Sequence, residues 1–273
     1  MWPADDLVTM RPQADLVLDR LLAGLRGNRP SIAIGQNESL SSIAVLGFPR
    51  SANTLLTTWL TTVVKPGVTV LDGRFSHSSL DLHRVTDAGI PVVVPVRAPV
   101  DACASMMVRK DLQDSASYGR EILRSYAAWH RLARGALDCA CITVAMFADI
   151  TTDPASIVRD TALAELVDLE VVARMDMEAL VERTRSSLAG VIGQGLPEDG
   201  IAAHQMISLP EPARAPELQR ARAILGSPGL RRVREDSERA YEDFISAAEL
   251  AQPVRFVERH SRNDAARGSE TTR

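Results

Sequence analysis

The sequence contains few aromatic residues and almost no lysine. Phe, Tyr and Trp make up 4% of its 273 residues, so the composition gives no indication of an aromatic cage for a phenolic ligand. The 31 basic residues are all Arg except Lys65 and Lys110, and 35 acidic residues leave a formal net charge of −4. We therefore expect no general affinity for nucleic acid or an anionic membrane surface, and binding of a multiply charged nucleotide would require locally placed arginines.

Long apolar stretches and cysteine frameworks are also missing. No run of about 18 apolar residues occurs, and the N-terminal segment carries Asp5 and Asp6, so we expect a cytoplasmic protein that is neither exported nor membrane-spanning. Cys103, Cys139 and Cys141 form an odd set without framework spacing, which favours a reducing compartment. Because Cys139 and Cys141 alternate within a predicted strand, they should point to opposite faces and remain unpaired core residues.

Two families of ligand-binding motif are absent from the sequence. It has no H-E-x-x-H, no paired C-x-x-C and no EF-hand loop, so no metal is predicted. It also has no G-x-x-x-x-G-K-[ST], the P-loop in which a lysine and a metal-holding hydroxyl serve phosphoryl transfer.

Strand and helix patterns alternate through the first half of the chain, which predicts an α/β fold with a P-loop-like parallel sheet flanked by helices on both faces. The predicted strands lie near 42–48, 67–72, 91–97 and 139–147. The predicted helices lie near 13–25, 54–63, 78–88, 100–110, 116–135, 154–167, 217–225 and 228–249. The C-terminal half is thus predicted to be helical, residues 1–257 are expected to form one domain, and residues 258–273 to be a disordered tail.

The segment VLGFPRSANTL, residues 45–55, is the most informative part of the sequence. An apolar strand runs into a turn that contains Arg50, and Ser51 and Asn53 are candidate caps for the helix that follows. Backbone N–H groups at such a turn, together with the helix dipole, favour an anion, and an arginine can contact two oxygens of a phosphate or sulfate. The segment therefore predicts an anion-binding loop.

A second segment has the same character. Residues 90–96 form another apolar run that ends at Arg97, and Pro99 can begin a helix that contains Ser105. Ser105 comes eight residues after Arg97, about one to two turns into this helix, so the two residues can converge on a single anion.

These motifs resemble those of sulfotransferases that use 3′-phosphoadenosine 5′-phosphosulfate (PAPS). Residues 48–54, FPRSANT, are similar to the 5′-phosphosulfate loop P-[KR]-S-G-N-T of bacterial members. Residues 97–105, RAPVDACAS, match the 3′-phosphate motif R-x-P-x-D-x-x-x-S at every named position, and residues 147–154, FADITTDP, are similar to Y-E-D-L-x-x-D-P. The three motifs follow the family's order over roughly residues 42–160. The resemblance implies that the loop residues Arg50, Ser51, Ala52, Asn53, Thr54 and Leu55, with Arg97 and Ser105, bind PAPS and its product 3′-phosphoadenosine 5′-phosphate (PAP).

The sequence departs from the family at three loop positions. Arg50 replaces a usual Lys and keeps its charge, Ala52 replaces Gly, and Leu55 replaces a Trp that stacks on adenine in many members. The R-K-G loop that closes over the 3′-phosphate in animal members has no clear counterpart here. Three C-terminal arginines are candidates to replace it: Arg183, Arg185 and Arg214.

Transfer to a hydroxyl or amine also requires a base, and histidine is the commonest side chain in that role. His77 precedes Arg97 by twenty residues, close to the family's spacing, and a serine precedes it as in the family's K-[ST]-H. The family's lysine is replaced by Phe75, and Arg74 could supply the missing cation. His83 is the second candidate for the base. The other histidines are expected at the surface or in packing roles: His130, His204 and His260.

The resemblance thus implies a PAPS-dependent sulfotransferase with a small-molecule acceptor, such as an alcohol, phenol or amine of secondary metabolism. His77 would take the acceptor proton, and Arg50 would stabilise charge on the leaving phosphate. Two alternatives remain open. One is a P-loop-type kinase or NTPase, and the other is a non-catalytic nucleotide-binding protein with the same fold.

Overall fold

The computed structural model describes residues 42–72, 79–159, 161–193 and 214–251. Several predictions fall outside these ranges: the helix near 13–25, the candidate base His77 with Arg74, the histidines His204 and His260, and the tail 258–273.

The described strands form one parallel sheet, as the sequence predicts. The strands are β1 (Ser42–Val45), β2 (Thr69–Asp72), β3 (Val92–Val96) and β4 (Ile142–Met146). Their order across the sheet is β2-β1-β3-β4, with Val45 opposite both Asp72 and Val93, and Val93 opposite Thr143. The chain therefore places β2 on one side of β1 and β3 on the other. In such open sheets, ligands bind at the carboxyl ends of the two neighbouring strands at which the strand order reverses.

Helices account for most of the remaining described chain. The bounds are α1 (Asn53–Val63), α2 (Ser79–Asp87), α3 (Pro99–Arg109), α4 (Ala116–Arg134), α5 (Phe147–Thr152), α6 (Leu169–Ala173), α7 (Met177–Gly193), α8 (Ala215–Leu225) and α9 (Arg231–Ala251). Three 3-10 turns cover Pro154–Ile157, Ala162–Glu165 and Pro228–Leu230. The prediction of a helical C-terminal half is confirmed. None of the helices that the structure describes is both long and apolar enough to cross a bilayer.

The sheet separates two apolar cores, because side chains alternate between its faces. Ile43 and Val45 of β1 join one core with Trp59 of α1 and residues of α7. Ala44 joins the other core, which α2, α3, α4, α8 and α9 cover and which contains Trp129 and Phe244. Helices thus lie on both faces, in agreement with the predicted α/β class.

The region before β4 differs from the prediction of a strand over 139–147. The strand begins at Ile142, and the chain before it turns tightly, with the Cys139 amide bound to the Ala136 carbonyl and the Ile142 amide to the Cys139 carbonyl. Strand alternation therefore does not apply to the two cysteines. Cys139 and Cys141 form a disulfide, so the prediction that they remain unpaired is wrong. Cys103 is a buried free cysteine, as expected.

The region after β4 also differs. α5 begins at Phe147, where the strand was predicted to continue, and the predicted helix near 154–167 is replaced by two 3-10 turns. Pro154 has no N–H and starts the first turn, and the Thr161 hydroxyl accepts a hydrogen bond from the Leu163 amide to start the second. Local caps therefore break this segment into short pieces.

Candidate functional site

The anion-binding loop predicted from residues 45–55 leads from β1 into α1 through two left-handed residues. Arg50 and Ala52 both have φ of 71°, and Ala52 is the residue before the first turn of α1. A left-handed conformation is unfavourable for a residue with a Cβ, which accounts physically for glycine at this position in the loops that this segment resembles. The loop is therefore held in a conformation that its own residues do not favour locally.

The expected side-chain capping of α1 is not observed. Ala52 occupies the cap position and makes no side-chain cap hydrogen bond, and neither the Ser51 hydroxyl nor Oδ1 of Asn53 has a partner among the described residues. Asn53 instead donates from Nδ2 to the Phe48 carbonyl at 2.9 Å, so its side chain binds the loop segment that follows β1. The capping prediction for Ser51 and Asn53 is thus wrong, because the chain enters α1 through the left-handed residue Ala52 and Asn53 binds the loop instead.

Gly47 allows the loop to lie directly against the neighbouring strand. A Cβ at this position would be 2.7 Å from the Pro95 carbonyl oxygen of β3 and 2.9 Å from Oδ1 of Asn53. Both distances are shorter than a carbon atom tolerates against these partners. Glycine is therefore required here by the close approach of backbone to backbone.

The second predicted anion segment follows β3, the strand beside β1. Pro99 is the first residue of α3, as predicted, and Ser105 lies in the second turn of that helix with 7% of its surface exposed. Arg97 lies between the strand and the helix. The carboxyl ends of β1 and β3 thus carry the two predicted segments side by side.

Direct hydrogen bonds join these two segments. Nε of Arg50 donates to the hydroxyl of Ser105 at 2.9 Å, and Nη1 of Arg97 donates to the Arg50 carbonyl oxygen at 3.2 Å. Three of the sequence-predicted site residues therefore meet at one place. Arg50 contacts Ser105, which was assigned to the 3′-phosphate, although Arg50 itself was assigned to the 5′-phosphosulfate.

The other loop residues are buried beneath this cluster. Ser51 has no exposed surface, and its hydroxyl has no hydrogen-bond partner among the residues that the structure describes. Leu55 packs in the core with Leu56 and Trp59, so its side chain supports α1 rather than facing a ligand. Thr54 and Asn53 are 9% and 3% exposed. Anion binding at this loop would therefore use backbone N–H groups and arginines more than these side chains.

The Arg97 guanidinium lies in an environment that the sequence did not reveal. Its Cζ lies 4.1 Å from the centre of the Phe147 ring, which is a cation–π contact. Burial lowers the pKa of Arg97, Asp101 partly offsets that effect, and Arg222 lowers the pKa further. A half-buried cation that has lost part of its hydration gains from an anionic partner.

Tyr126 of α4 supports both segments from beneath. Its hydroxyl donates to the Arg97 carbonyl oxygen at 2.6 Å, and its ring packs edge-on against Phe48 with 4.8 Å between ring centres. Burial raises the pKa of Tyr126, so the hydroxyl stays protonated as a donor. His130 stacks on the Tyr126 ring and binds the Tyr126 carbonyl oxygen through Nδ1 at 3.0 Å. This residue has the packing role that was expected for it.

The three C-terminal arginines proposed as substitutes for an R-K-G loop all have other contacts. Arg183 donates to Thr62 near the far end of α1, Arg185 pairs with Glu182, and Arg214 binds the Val108 carbonyl oxygen at the far end of α3. Arg222 of α8 instead pairs with Asp101 at 2.9 Å, in the first turn of α3 and close to Arg97. Arg222 has no motif around it, so sequence reasoning had no signal by which to select it.

The second candidate for the base, His83, lies elsewhere. Its Nε2 is 2.9 Å from the Leu132 carbonyl oxygen. Leu132 is six residues beyond Tyr126 on α4, or about 9 Å along the helix axis. Within the described residues, no three His, Cys, Asp or Glu side chains form a group that could hold a metal ion.

Comparison with known proteins yields no match: no family model, no curated protein and no solved structure resembles this chain at a significant level.

Proposed function

We propose that this protein transfers a sulfuryl group from PAPS to a hydroxyl or amine of a small-molecule acceptor. One observation carries the proposal. Two segments that each resemble a PAPS-binding motif are 47 to 55 residues apart in the sequence, yet their polar groups are in contact through Arg50, Ser105 and Arg97. Random basic residues in an α/β fold would not be expected to converge at the carboxyl ends of β1 and β3, where such folds bind ligands.

In this proposal the two segments divide the nucleotide between them. Arg50 and the loop amides from Ser51 to Thr54 hold the 5′-phosphosulfate, while Arg97 and Ser105 hold the 3′-phosphate. The bound nucleotide replaces the Arg50–Ser105 hydrogen bond, which frees Arg50 for the phosphosulfate and the Ser105 hydroxyl for the 3′-phosphate. Arg222 adds positive charge near Arg97 and, among the C-terminal arginines that the structure describes, is the best located to contribute to the 3′-phosphate site.

The chemical step breaks the bond between sulfur and the bridging phosphate oxygen and forms a bond from sulfur to the acceptor. His77 takes the acceptor proton, and Arg50 with the loop amides stabilises the charge that develops on the leaving phosphate. Leu55 is buried in the core, so the adenine ring is expected to find a contact other than the stacking Trp of the family.

Calorimetry with PAP in the absence of added metal tests the donor site. We expect micromolar binding to the wild type and a loss of about ten- to a hundredfold in Arg97→Ala, as removal of a charged phosphate contact should cause. Arg174→Ala is a matched control, because Arg174 is an exposed arginine directly after α6 that pairs only with Glu170 among the described side chains. Absence of PAP binding to the wild type, with binding of ATP and Mg²⁺ instead, would favour the kinase alternative.

Turnover distinguishes an enzyme from a nucleotide-binding protein. PAP release from PAPS is measured with a panel of alcohols, phenols and amines, for the wild type and for His77→Ala and His83→Ala. We expect His77→Ala to abolish turnover while PAP binding is retained, and His83→Ala to retain turnover. Retention of turnover in His77→Ala would contradict the assignment of the base, and its loss only in His83→Ala would assign that role to His83.

A further inference from the structure

A second cluster of arginines lies in a groove between α4 and α9, separate from the anion-binding loop. The groove has a volume of about 740 Å³ and is lined by Arg120 and Arg124 of α4 and by Arg232, Asp236 and Arg239 of α9. The residues of each helix repeat at helical spacing, so Arg120 and Arg124 share one face of α4, and Arg232 and Arg239 share one face of α9. The guanidinium groups thus approach the groove from both walls.

Three carboxylates of α9 at or near this groove are already paired. Asp236 binds Arg131 at 2.6 Å, Glu235 binds Arg231 at 2.7 Å, and Glu238 lies 3.6 Å from Arg234. The pKa of Glu235 is lowered chiefly by its hydrogen bond with Arg231, and only more weakly by Arg234 and Arg239.

Among the described side chains, none of the four groove arginines has a carboxylate within ion-pair distance: Arg120, Arg124, Arg232 and Arg239. Arg120 donates to the Gly229 carbonyl oxygen at 3.4 Å, which turns its side chain towards α9. The chain as a whole is acidic, with a net charge of −4, so this excess of positive charge is local.

We propose that this groove binds a small anion that carries two or more phosphate groups. Guanidinium groups bind phosphate through paired N–H donors, and two facing pairs of arginines match a ligand with at least two phosphates. The groove volume falls within the range of about 300–1,000 Å³ that is usual for small-molecule sites. The groove lies on the side of α4 opposite Tyr126, which is directed towards Arg97. The proposal therefore does not rest on the proposed transferase function.

Calorimetry of the full chain with inorganic tripolyphosphate tests the site. We expect binding that weakens with added salt and that falls at least tenfold in Arg124→Gln/Arg232→Gln, which removes one charge from each wall. The control Arg134→Gln/Arg220→Gln removes the same charge from exposed arginines outside the groove and should bind like the wild type. Both variants should fold, because all four substituted positions are exposed, and circular dichroism checks this.

Three results would overturn the proposal. One is the absence of tripolyphosphate binding to the wild type, and another is an equal loss in the groove variant and its control. The third is a loss in Arg97→Ala with none in the groove variant, which would place the anion at the loop after β1. Sedimentation with phosphatidylserine vesicles distinguishes a lipid headgroup from a small soluble anion as the source of the phosphate. Co-sedimentation that the groove variant loses, without any tripolyphosphate binding, would assign a lipid surface in place of a small anion.

Discussion

Nε of Arg50 donates a hydrogen bond to the Ser105 hydroxyl at 2.9 Å, across 55 residues of sequence. Arg50 follows β1 and Ser105 lies in the helix that follows β3, and these two strands are neighbours in the sheet. The two segments that are predicted to bind an anion therefore form a single cluster. The contact also defines what a nucleotide would have to displace in order to bind both segments.

Ser105→Ala should weaken PAP binding about tenfold, because a hydrogen bond to a charged phosphate contributes roughly 1.5–3 kcal/mol and part of this is offset by release of Arg50. Stability should fall by only about 1 kcal/mol. Calorimetry measures the affinity for PAP, and thermal unfolding measures the stability. Ser156→Ala, whose hydroxyl binds the Asp153 carbonyl oxygen at the surface, is the control and should bind PAP normally. A loss of stability without any change in PAP affinity would mean that Ser105 only supports the loop.

Ala52→Gly should leave the free energy of unfolding within about 1 kcal/mol of the wild type, although it removes a buried methyl group. The left-handed conformation at φ 71° costs alanine about 1–2 kcal/mol, and glycine avoids that cost. Ala102→Gly, equally buried but inside α3, should lose about 1–2 kcal/mol from helix propensity and burial together. Urea unfolding compares the two variants. Equal losses would contradict a strained loop at Ala52.

Gly47→Ala should destabilise the protein by about 1–3 kcal/mol, the usual cost of an overpacked site. The added methyl group would meet the Pro95 carbonyl oxygen at 2.7 Å, and backbone on both sides prevents an easy shift. Gly229→Ala is the matched control, because no atom lies within 4 Å of the added carbon there. Urea unfolding of both variants measures the difference. A neutral Gly47→Ala would mean that β1 and β3 can separate at this point.

The buried His130 should make stability depend on pH between 7 and 5. Burial lowers its pKa from 6.5 to about 3, so below pH 6.5 the unfolded chain binds a proton that the folded chain does not. Stability should therefore fall with pH, by about 2 kcal/mol between pH 7 and pH 5. Urea unfolding across this range measures the slope. His130→Phe should flatten it, whereas Tyr241→Phe, which alters the same aromatic cluster, should retain it. An unchanged slope in His130→Phe would assign the dependence to other groups.

The disulfide between Cys139 and Cys141 should leave one thiol per chain under non-reducing conditions. That thiol is Cys103, whose burial raises its pKa and blocks reagents in the folded state. Titration with Ellman's reagent should therefore find one thiol after denaturation and three after reduction. The variant Cys103→Ala should show none before reduction. Three thiols in the denatured but unreduced wild type would contradict the pairing.

The sequence alone predicted correctly those strands and helices whose positions depend on neighbouring residues. The four strands, the start of α3 at Pro99 and the two helices of the C-terminal region lie within a few residues of their predicted positions, because periodicity and breaking residues act locally. The same reasoning failed at Cys139 and Cys141 and near 154–167, where hydrogen bonds within short turns replaced a regular strand and helix. It also failed at Ser51 and Asn53, whose capping role depended on a loop conformation that the sequence did not indicate.

The sequence by itself determined that Arg50 and Arg97, the candidate anion-binding residues, follow apolar strands. Only the tertiary structure decided that β1 and β3 are adjacent, since pairing of parallel strands depends on how the intervening chain crosses the sheet. That adjacency brings Arg50 to Ser105, and the packing of α8 on α3 brings Arg222 to Asp101. Contacts between residues more than 50 positions apart have no local pattern, so the cluster around Arg97 could be assembled only by the folded chain.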